Sequence, residues 1–214
     1  MENRRVTAEE HFQDTRLVSF DTQGKSNLNY SPGDVLMILP SNLDESVELA
    51  ISSLGYSDEI LDREFRIRSN DPFVKTPPLY MTGGATTSLR KCLRSLFDLQ
   101  MIPRRSFFEI LGALSSDDME REKLLELASP DGVDDLLAYA TRPRRTVAET
   151  LRDFRATAPS LSPERLFDVL SPIRARAFSI ASCPRTHGGR IELLVAKVDY
   201  KLTKMAEPRR GLCS

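Results

Sequence analysis

Residues 176–179 place an arginine and an aromatic ring two positions apart, in the sequence Arg176-Ala177-Phe178-Ser179. On an extended backbone, residues i and i+2 point to the same side, so Arg176 and Phe178 are expected to share one face of a strand. Arginine holds phosphate oxygens with two parallel hydrogen bonds, and a phenylalanine ring stacks on a flat heterocycle. The pair therefore suits a ligand that carries both a phosphate and a flat ring system. Taken alone, the pattern is also typical of an ordinary strand with one basic residue.

Two further stretches are suited to an anion. The last four residues, Gly211-Leu212-Cys213-Ser214, combine a glycine with a possible serine N-cap, which is typical of a phosphate site at the start of a helix. That helix would lie beyond Ser214, and a simple turn fits the same residues. The basic cluster Arg142-Pro143-Arg144-Arg145-Thr146 precedes a predicted helix, and a solvated loop fits it equally well. The chain contains neither a G-x-G-x-x-G nor a Walker-type loop, which excludes those two nucleotide-binding fingerprints.

The charge of the chain is divided unevenly. Its 214 residues carry 30 Lys and Arg against 31 Asp and Glu, a net charge of −1. Residues 142–214 hold 15 basic and 7 acidic side chains, a net +8, whereas residues 1–141 hold a net −9. The last third of the chain therefore suits an anionic ligand.

Composition narrows the class of protein. Apolar residues make up 40% and charged residues 29%, which allows a buried core and excludes collagen, low-complexity disorder and coiled coil. The three cysteines and two histidines lack metal-ligand spacing, so neither a structural zinc site nor a disulfide framework is expected. The longest apolar run, 35–39, is too short to span a membrane, and residues 1–12 contain no signal-peptide core. These features predict a reducing, cytosolic compartment.

The predicted elements run in the order strands, helices, strands. Alternating and compact apolar segments predict an initial antiparallel meander over 11–22, 28–30 and 35–39, and later strands over 177–181 and 190–200. We expect most of the last strand to be buried. Caps and helical periodicity predict helices over 42–55, 87–99, 117–128, 133–140 and 146–154, and others starting near 106 and 162. The pairs Asn42 and Glu45, and Thr146 and Glu149, are predicted capping boxes.

This order predicts the α+β class, and the length fits one domain with a sizeable insertion. The strands could form separate small sheets, or one barrel interrupted by the helices. Because two or three strands alone are marginally stable, a single barrel with the helical block inserted is favoured. The expected boundaries are 1–41 for the first barrel strands, 42–172 for the helical insertion and 173–214 for the last strands.

Three stretches, taken in chain order, resemble the diflavin reductases. They are Tyr30-Ser31-Pro32-Gly33-Asp34, Arg176-Ala177-Phe178-Ser179-Ile180-Ala181-Ser182 and Arg210-Gly211-Leu212-Cys213-Ser214. This family includes the microsomal cytochrome reductases and the reductase halves of nitric oxide synthases. Residues 103–109, 120–126 and 142–146 are similar to its cytosolic NADPH-dependent branch, and the resemblance extends from about Arg5 to Ser214.

The resemblance implies that the strands form an antiparallel FAD-binding barrel of the ferredoxin-reductase type, incomplete in this chain, and that the helices form the connecting domain. Arg176 would hold the FAD pyrophosphate, Phe178 would stack on the isoalloxazine ring, and Ser179 would lie near the reactive edge of that ring, with Ala177 beside them. The family more often has tyrosine at the stacking position, so Phe178 keeps the ring and lacks the hydroxyl. The FMN and NADPH-binding domains of the family would lie outside this chain.

Two more contacts to FAD follow from the same resemblance. Gly211, Leu212, Cys213 and Ser214 would bind the pyrophosphate through backbone groups. Arg144 would contact FAD from the start of its helix. No residue of the chain is expected to be catalytic itself or to bind a metal.

The implied function is that of a flavoprotein oxidoreductase. NADPH would reduce FAD, and electrons would pass singly through FMN to a protein acceptor, the iron–sulfur protein of cytosolic iron–sulfur cluster assembly. The enzyme would be cytoplasmic, without nucleic-acid or membrane partners, and this chain alone would be inactive. The alternatives are a non-catalytic module whose helices dock partners, or the FAD module of a cytochrome reductase or nitric oxide synthase.

Overall fold

The computed structural model describes residues 2–22, 29–69, 71, 73, 75–82, 84–203, 205 and 208–213. The strands in chain order are β1 (Glu2–Arg5), β2 (Thr15–Asp21), β3 (Val35–Ile38), β4 (Arg176–Ser179), β5 (Arg190–Ala196), β6 (Asp199–Tyr200) and β7 (Arg209–Arg210). The α-helices are α1 (Asp44–Leu54), α2 (Asp58–Asp62), α3 (Leu79–Thr82), α4 (Leu89–Ser95), α5 (Arg105–Leu114), α6 (Asp118–Ala128), α7 (Val133–Leu136), α8 (Val147–Asp153), α9 (Thr157–Ser160), α10 (Leu166–Val169) and α11 (Pro184–His187). A π-helical turn, Leu137–Thr141, follows α7, and a 3-10 turn, Pro163–Arg165, precedes α10.

Contacts divide the chain into two units. One unit contains residues 1–40, 174–201 and 207–214, and the other contains residues 41–173 and 202–206. The first unit holds all the strands together with α11, and the second holds the remaining helices. The α+β class is therefore confirmed.

The strand unit pairs its N-terminal strands with its C-terminal ones. Strand β2 lies between β1 and β5, and β3 pairs with β4, all antiparallel. The predicted meander is wrong, because β2 and β3 are each paired with a strand from the other end of the chain. A bridge between Ile180 and Leu193 links the end of β4 to β5. The antiparallel pairing is confirmed, whereas closure into a barrel stays a prediction.

Alternation along β5 forms the core of this unit. Ile191, Leu193 and Val195 are buried, and half-buried apolar side chains of neighbouring segments, Phe178 among them, pack against these three residues. The opposite face is solvent-accessible, because Leu194 is 54% exposed and Ala196 is also exposed. The expectation that most of this strand is buried is therefore wrong for one of its two faces.

Several strand predictions need correction. Strand β1 was not predicted because its sequence, Glu-Asn-Arg-Arg, contains no apolar residue. It is an edge strand, and charged side chains on an edge discourage pairing with other chains. Tyr30 is not in a strand, and Leu28 lies outside the described residues.

The helical unit packs around buried apolar side chains, most of them leucine and phenylalanine. Helix α5 packs on α6, and α1 packs on α8. The largest fully buried side chains of this unit are Leu54, Leu61, Leu93, Leu96, Leu99, Phe108, Leu111, Leu124, Leu127, Leu151 and Leu166.

The capping box predicted at Asn42 is wrong. Helix α1 has Leu43 as its N-cap, with no side-chain cap. The Asn42 amide is buried instead, and it donates to the carbonyls of Leu93 at 2.7 Å and Phe97 at 2.6 Å. It also accepts from the N–H of Leu99 at 3.2 Å. Buried backbone groups need hydrogen-bond partners, and the Asn42 side chain is the partner of these three groups. It is therefore not available for the capping of α1 that the local sequence pattern predicts.

Candidate functional site

The turn before β3 fixes the first strand of the candidate site. Gly33 has φ +98°, and the Asp34 carboxylate accepts from the N–H of Ser31 at 2.7 Å. Only glycine adopts such a φ readily, and aspartate commonly closes turns in this way. The predicted turn at 31–34 is therefore confirmed, and it delivers the chain into β3.

Strands β3 and β4 hold the predicted Arg-x-Phe pair. Ile38 lies opposite Arg176, and Leu36 lies opposite Phe178. Arg176 and Phe178 are both half-buried, whereas Ala177 and Ser179 are exposed. The prediction that the guanidinium-bearing and aromatic residues share one face of the strand is confirmed. The side chains of Ala177 and Ser179 belong to the other face.

Phe178 is supported from within its unit. Its ring packs against the buried cluster of Ile191, Leu193 and Val195. A half-buried aromatic ring resting on a packed core is held in place and still has accessible surface. Such a ring is suited to stacking on a planar ligand.

Arg176 links two of the predicted stretches. Its Nη1 donates to the carbonyl of Arg174 at 2.8 Å. Burial raises the pKa of the Cys213 thiol, and the nearby positive charge of Arg176 partly opposes that rise. The Cys213 thiol is therefore close enough to feel the Arg176 charge, although the two residues are 37 positions apart in the sequence.

Strand β7 leads into the last predicted stretch. Arg209 and Arg210 pair with Tyr200 and Asp199, and the N–H of Gly211 donates to the carbonyl of Val198 at 2.9 Å. That N–H is therefore committed to the fold rather than directed to a phosphate. Leu212 and Cys213 follow in a half-buried turn, and Ser214 lies outside the described residues.

Arg144 belongs to the helical unit. It is exposed, and its φ of +54° is the one positive value among the described non-glycine residues. It stands two positions before Thr146, the N-cap of α8. The predicted capping box is confirmed, because the N–H of Glu149 donates to Thr146 Oγ1 at 3.2 Å and the N–H of Thr146 donates to Glu149 Oε2 at 2.8 Å.

The N–H groups at the start of α8 have partners inside this unit. Val147 donates to the carbonyl of Met101 at 2.9 Å, and Ala148 donates to that of Leu99 at 3.1 Å. The capping box satisfies Glu149. Because these N–H groups are occupied, they are not available to bind a ligand at this helix start.

One contact between the quoted stretches was not expected from the sequence. Tyr30 Oη lies 2.7 Å from Ser182 Oγ, which ties the segment before β3 to the segment after β4. Both residues belong to stretches that resemble the diflavin reductases, and that is the signal that would have singled them out. They brace the ends of the β3–β4 pair.

No group of three or more His, Cys, Asp or Glu side chains in the described part of the chain is arranged to hold a metal ion. No helix there is long and apolar enough to cross a membrane.

Comparisons with known proteins identify the family of this chain. The chain belongs to the FAD binding domain family, which matches residues 1–214. FAD is thus the cofactor of this region. Among similar proteins are those named NADPH-dependent diflavin oxidoreductase 1. The one from Bos taurus is 43% identical over 212 residues, which cover 99% of this chain and 34% of the relative.

Relatives of the same name occur in distant organisms. The protein from Danio rerio is 42% identical over 99% of this chain and 34% of its own length. The protein from Cryptococcus neoformans is 36% identical, again over 99% of this chain and 33% of its own length. The chain therefore spans about a third of the length of these relatives. The predicted resemblance to the diflavin reductases is confirmed, because these relatives are named as diflavin oxidoreductases.

Proposed function

We propose that this chain is the FAD-binding module of an NADPH-dependent diflavin reductase. The observation that carries the proposal is the half-buried face of β4, where Arg176 and Phe178 lie side by side and Cys213 lies near the arginine. A guanidinium beside an aromatic ring matches the pyrophosphate and the isoalloxazine of FAD in chemical type. The names of the relatives support the same assignment.

Each residue has a distinct part in this proposal. Arg176 binds the pyrophosphate through its planar fork, and Phe178 stacks on the isoalloxazine. Because the side chains of Ala177 and Ser179 are on the other face, these two residues contribute backbone groups beside the ring. Leu212, Cys213 and Ser214 contribute backbone groups to the pyrophosphate. Gly211 shapes the turn.

Arg144 supplies a second guanidinium for the phosphates of FAD. Its helix start has no spare N–H groups in the first turn, so the contact is made by the side chain. This supports binding by charge and hydrogen bonding rather than by the helix dipole.

The wider activity follows from the family. Bound FAD would supply the redox chemistry, taking a hydride from NADPH and giving single electrons towards FMN. NADPH and FMN would bind in other domains, and the strands of this unit would form part of a ferredoxin-reductase-type barrel. The protein acceptor would be the iron–sulfur protein of cytosolic iron–sulfur cluster assembly, and the enzyme would be cytoplasmic.

Replacing Phe178 tests the proposal in the complete protein. Phe178→Ala removes the stacking ring, so we expect FAD to bind about tenfold more weakly or worse. Phe178→Tyr keeps the ring and should bind like the wild type. Flavin absorbance per protein and titration of the apo form with FAD measure both effects.

Phe20→Ala is the matched control. Phe20 is also half-buried against the same cluster, but it lies on β2. It should lower stability and leave FAD affinity within about twofold. Equal loss of FAD in both alanine variants would reduce Phe178 to a core residue. A well-folded wild type without FAD affinity would instead support a non-catalytic interaction module.

A further inference from the structure

Arg144 occupies a backbone conformation that its neighbours must enforce. The left-handed region costs roughly 1–2 kcal/mol for a residue with a Cβ. Such conformations persist only where the surroundings over-determine them, and they cluster at functional positions. The contacts around Arg144 show which side chains do this.

The chain before Arg144 is held by a wide helical turn. The N–H of Arg142 donates to the carbonyl of Leu137 at 2.8 Å, five residues back, and the N–H of Arg145 donates to that of Ala140 at 2.9 Å. Single π-helical turns of this kind are rare in proteins. Where they do occur, they are often part of a functional site. Pro143 then fixes φ immediately before Arg144.

The chain after Arg144 is held by the Arg145 side chain. Its Nε donates to the carbonyl of Tyr139 at 3.0 Å, and its guanidinium carbon lies 4.4 Å from the centre of the Tyr139 ring. Its Nη1 pairs with Asp153, the last residue of α8. Arg145 therefore joins the π-helical turn to the far end of α8 across the loop.

Tyr139 completes the cluster. Its hydroxyl donates to Asp153 Oδ2 at 3.0 Å. Its ring makes edge contacts with Phe108 and Phe154 at centroid distances of 6.0 and 6.2 Å. Burial and the Asp153 charge raise the pKa of Tyr139, so the hydroxyl keeps its proton and remains a donor.

We propose that Tyr139, Arg145 and Asp153 are positioning residues that hold Arg144 ready for the phosphates of FAD. Asp153 pairs with Arg145, so the cluster commits the Arg145 guanidinium to the scaffold and fixes the backbone on both sides of Arg144. Fixing the loop before binding lowers the ordering cost of the complex. The inference rests on the proposed contact between Arg144 and FAD.

A double-mutant cycle in the complete protein tests the inference. Arg144→Ala should weaken FAD binding about tenfold. Asp153→Ala should weaken it about threefold to tenfold in the wild-type background, and less than twofold once Arg144 is alanine. It should also flatten the dependence of Kd on salt, because a loosened Arg144 no longer engages the phosphates.

Tyr139→Phe is the second variant, because it removes only the hydroxyl. It should show the same coupling to Arg144 at smaller size. Asp168→Ala is the matched control, since Asp168 pairs with Arg165 at 3.0 Å elsewhere in the unit and should leave Kd unchanged. Thermal unfolding verifies that each variant is folded.

The outcomes separate the two proposals. Equal effects of Asp153→Ala with and without Arg144 would overturn the positioning role, as would an unchanged Kd in folded Asp153→Ala and Tyr139→Phe. An unchanged Kd in Arg144→Ala would also overturn it. None of these three results bears on the FAD module itself, which is tested separately by the FAD affinity of the wild type and of the Phe178 and Phe20 variants.

Discussion

Replacing Arg144 by glycine and by alanine should reverse the usual order of stability. Both substitutions remove the guanidinium. Alanine keeps the Cβ and therefore the strain of φ +54°, whereas glycine adopts that conformation without steric cost. Glycine should therefore give the more stable protein, although it is ordinarily the less stable choice.

The size of the effect follows from two opposing contributions. Relief of the left-handed conformation contributes roughly 1–2 kcal/mol in favour of glycine. The greater freedom of glycine in the unfolded chain costs about 0.5–1 kcal/mol. Taking the middle of each range leaves Arg144→Gly more stable than Arg144→Ala by about 0.75 kcal/mol. For a domain of about this size that corresponds to a Tm difference of roughly 1–4 °C.

Thermal unfolding of the apo form measures this difference, and Arg142 provides the control. Arg142 is exposed on the same loop but has φ −65° and ψ −44°, so Arg142→Gly should be less stable than Arg142→Ala. If Arg144→Gly were also the less stable of its pair, the strained loop and the inference built on it would be refuted. Both Arg144 variants should lose FAD affinity equally.

Three further predictions concern Arg176, Asn42 and the two cysteines Cys183 and Cys213. Arg176→Lys keeps the charge and loses the planar fork of the guanidinium, so FAD titrations should give a Kd about threefold to tenfold higher than that of the wild type and more sensitive to salt. A Kd for FAD that neither the substitution nor the salt concentration changes would show that Arg176 is a surface residue. Asn42→Ala leaves three buried backbone groups without their partner and should cost about 3 kcal/mol in chemical unfolding; a cost below about 1 kcal/mol would contradict the buried network. Hydrogen bonds from the backbone N–H of Arg185 and from Thr186 lower the pKa of Cys183, whereas burial raises that of Cys213, so as pH rises Cys183 should become thiolate first. Alkylation followed by peptide mass spectrometry should therefore label Cys183 at lower pH, and FAD should protect only Cys213; the reverse order would contradict both assignments.

Local signals predicted the features whose partners are close in sequence. The Thr146–Glu149 capping box spans three residues and is present as predicted. Asp117 caps α6 by accepting from the N–H of Glu120, and Gly55 ends α1 with φ +66°. Each of these depends on a few neighbouring residues, so the sequence contains the necessary information.

Features that depend on distant partners were missed or misplaced. Asn42 fits a helix cap by local rules, but its hydrogen-bond partners lie more than 50 positions away and determine its role. The pairing of β2 with β5 joins the two ends of the chain, which no short-range pattern indicates. Tertiary packing overrides local preference in both cases.

The candidate site shows the same division. The shared face of Arg176 and Phe178 follows from strand geometry alone. The proximity of Cys213 to Arg176 depends on the fold of the whole unit. The positive φ of Arg144 accompanies the π-helical turn and the Arg145 contacts. No residue type in the loop 142–146 predicts it.

The structure of the complete protein with FAD tests the central claim most directly. The proposal predicts the isoalloxazine stacked on the Phe178 ring at about 3.5 Å, with the Arg176 guanidinium within hydrogen-bond distance of the pyrophosphate. An isoalloxazine bound away from β4, with Phe178 still packed against the core and Arg176 directed to solvent, would contradict it.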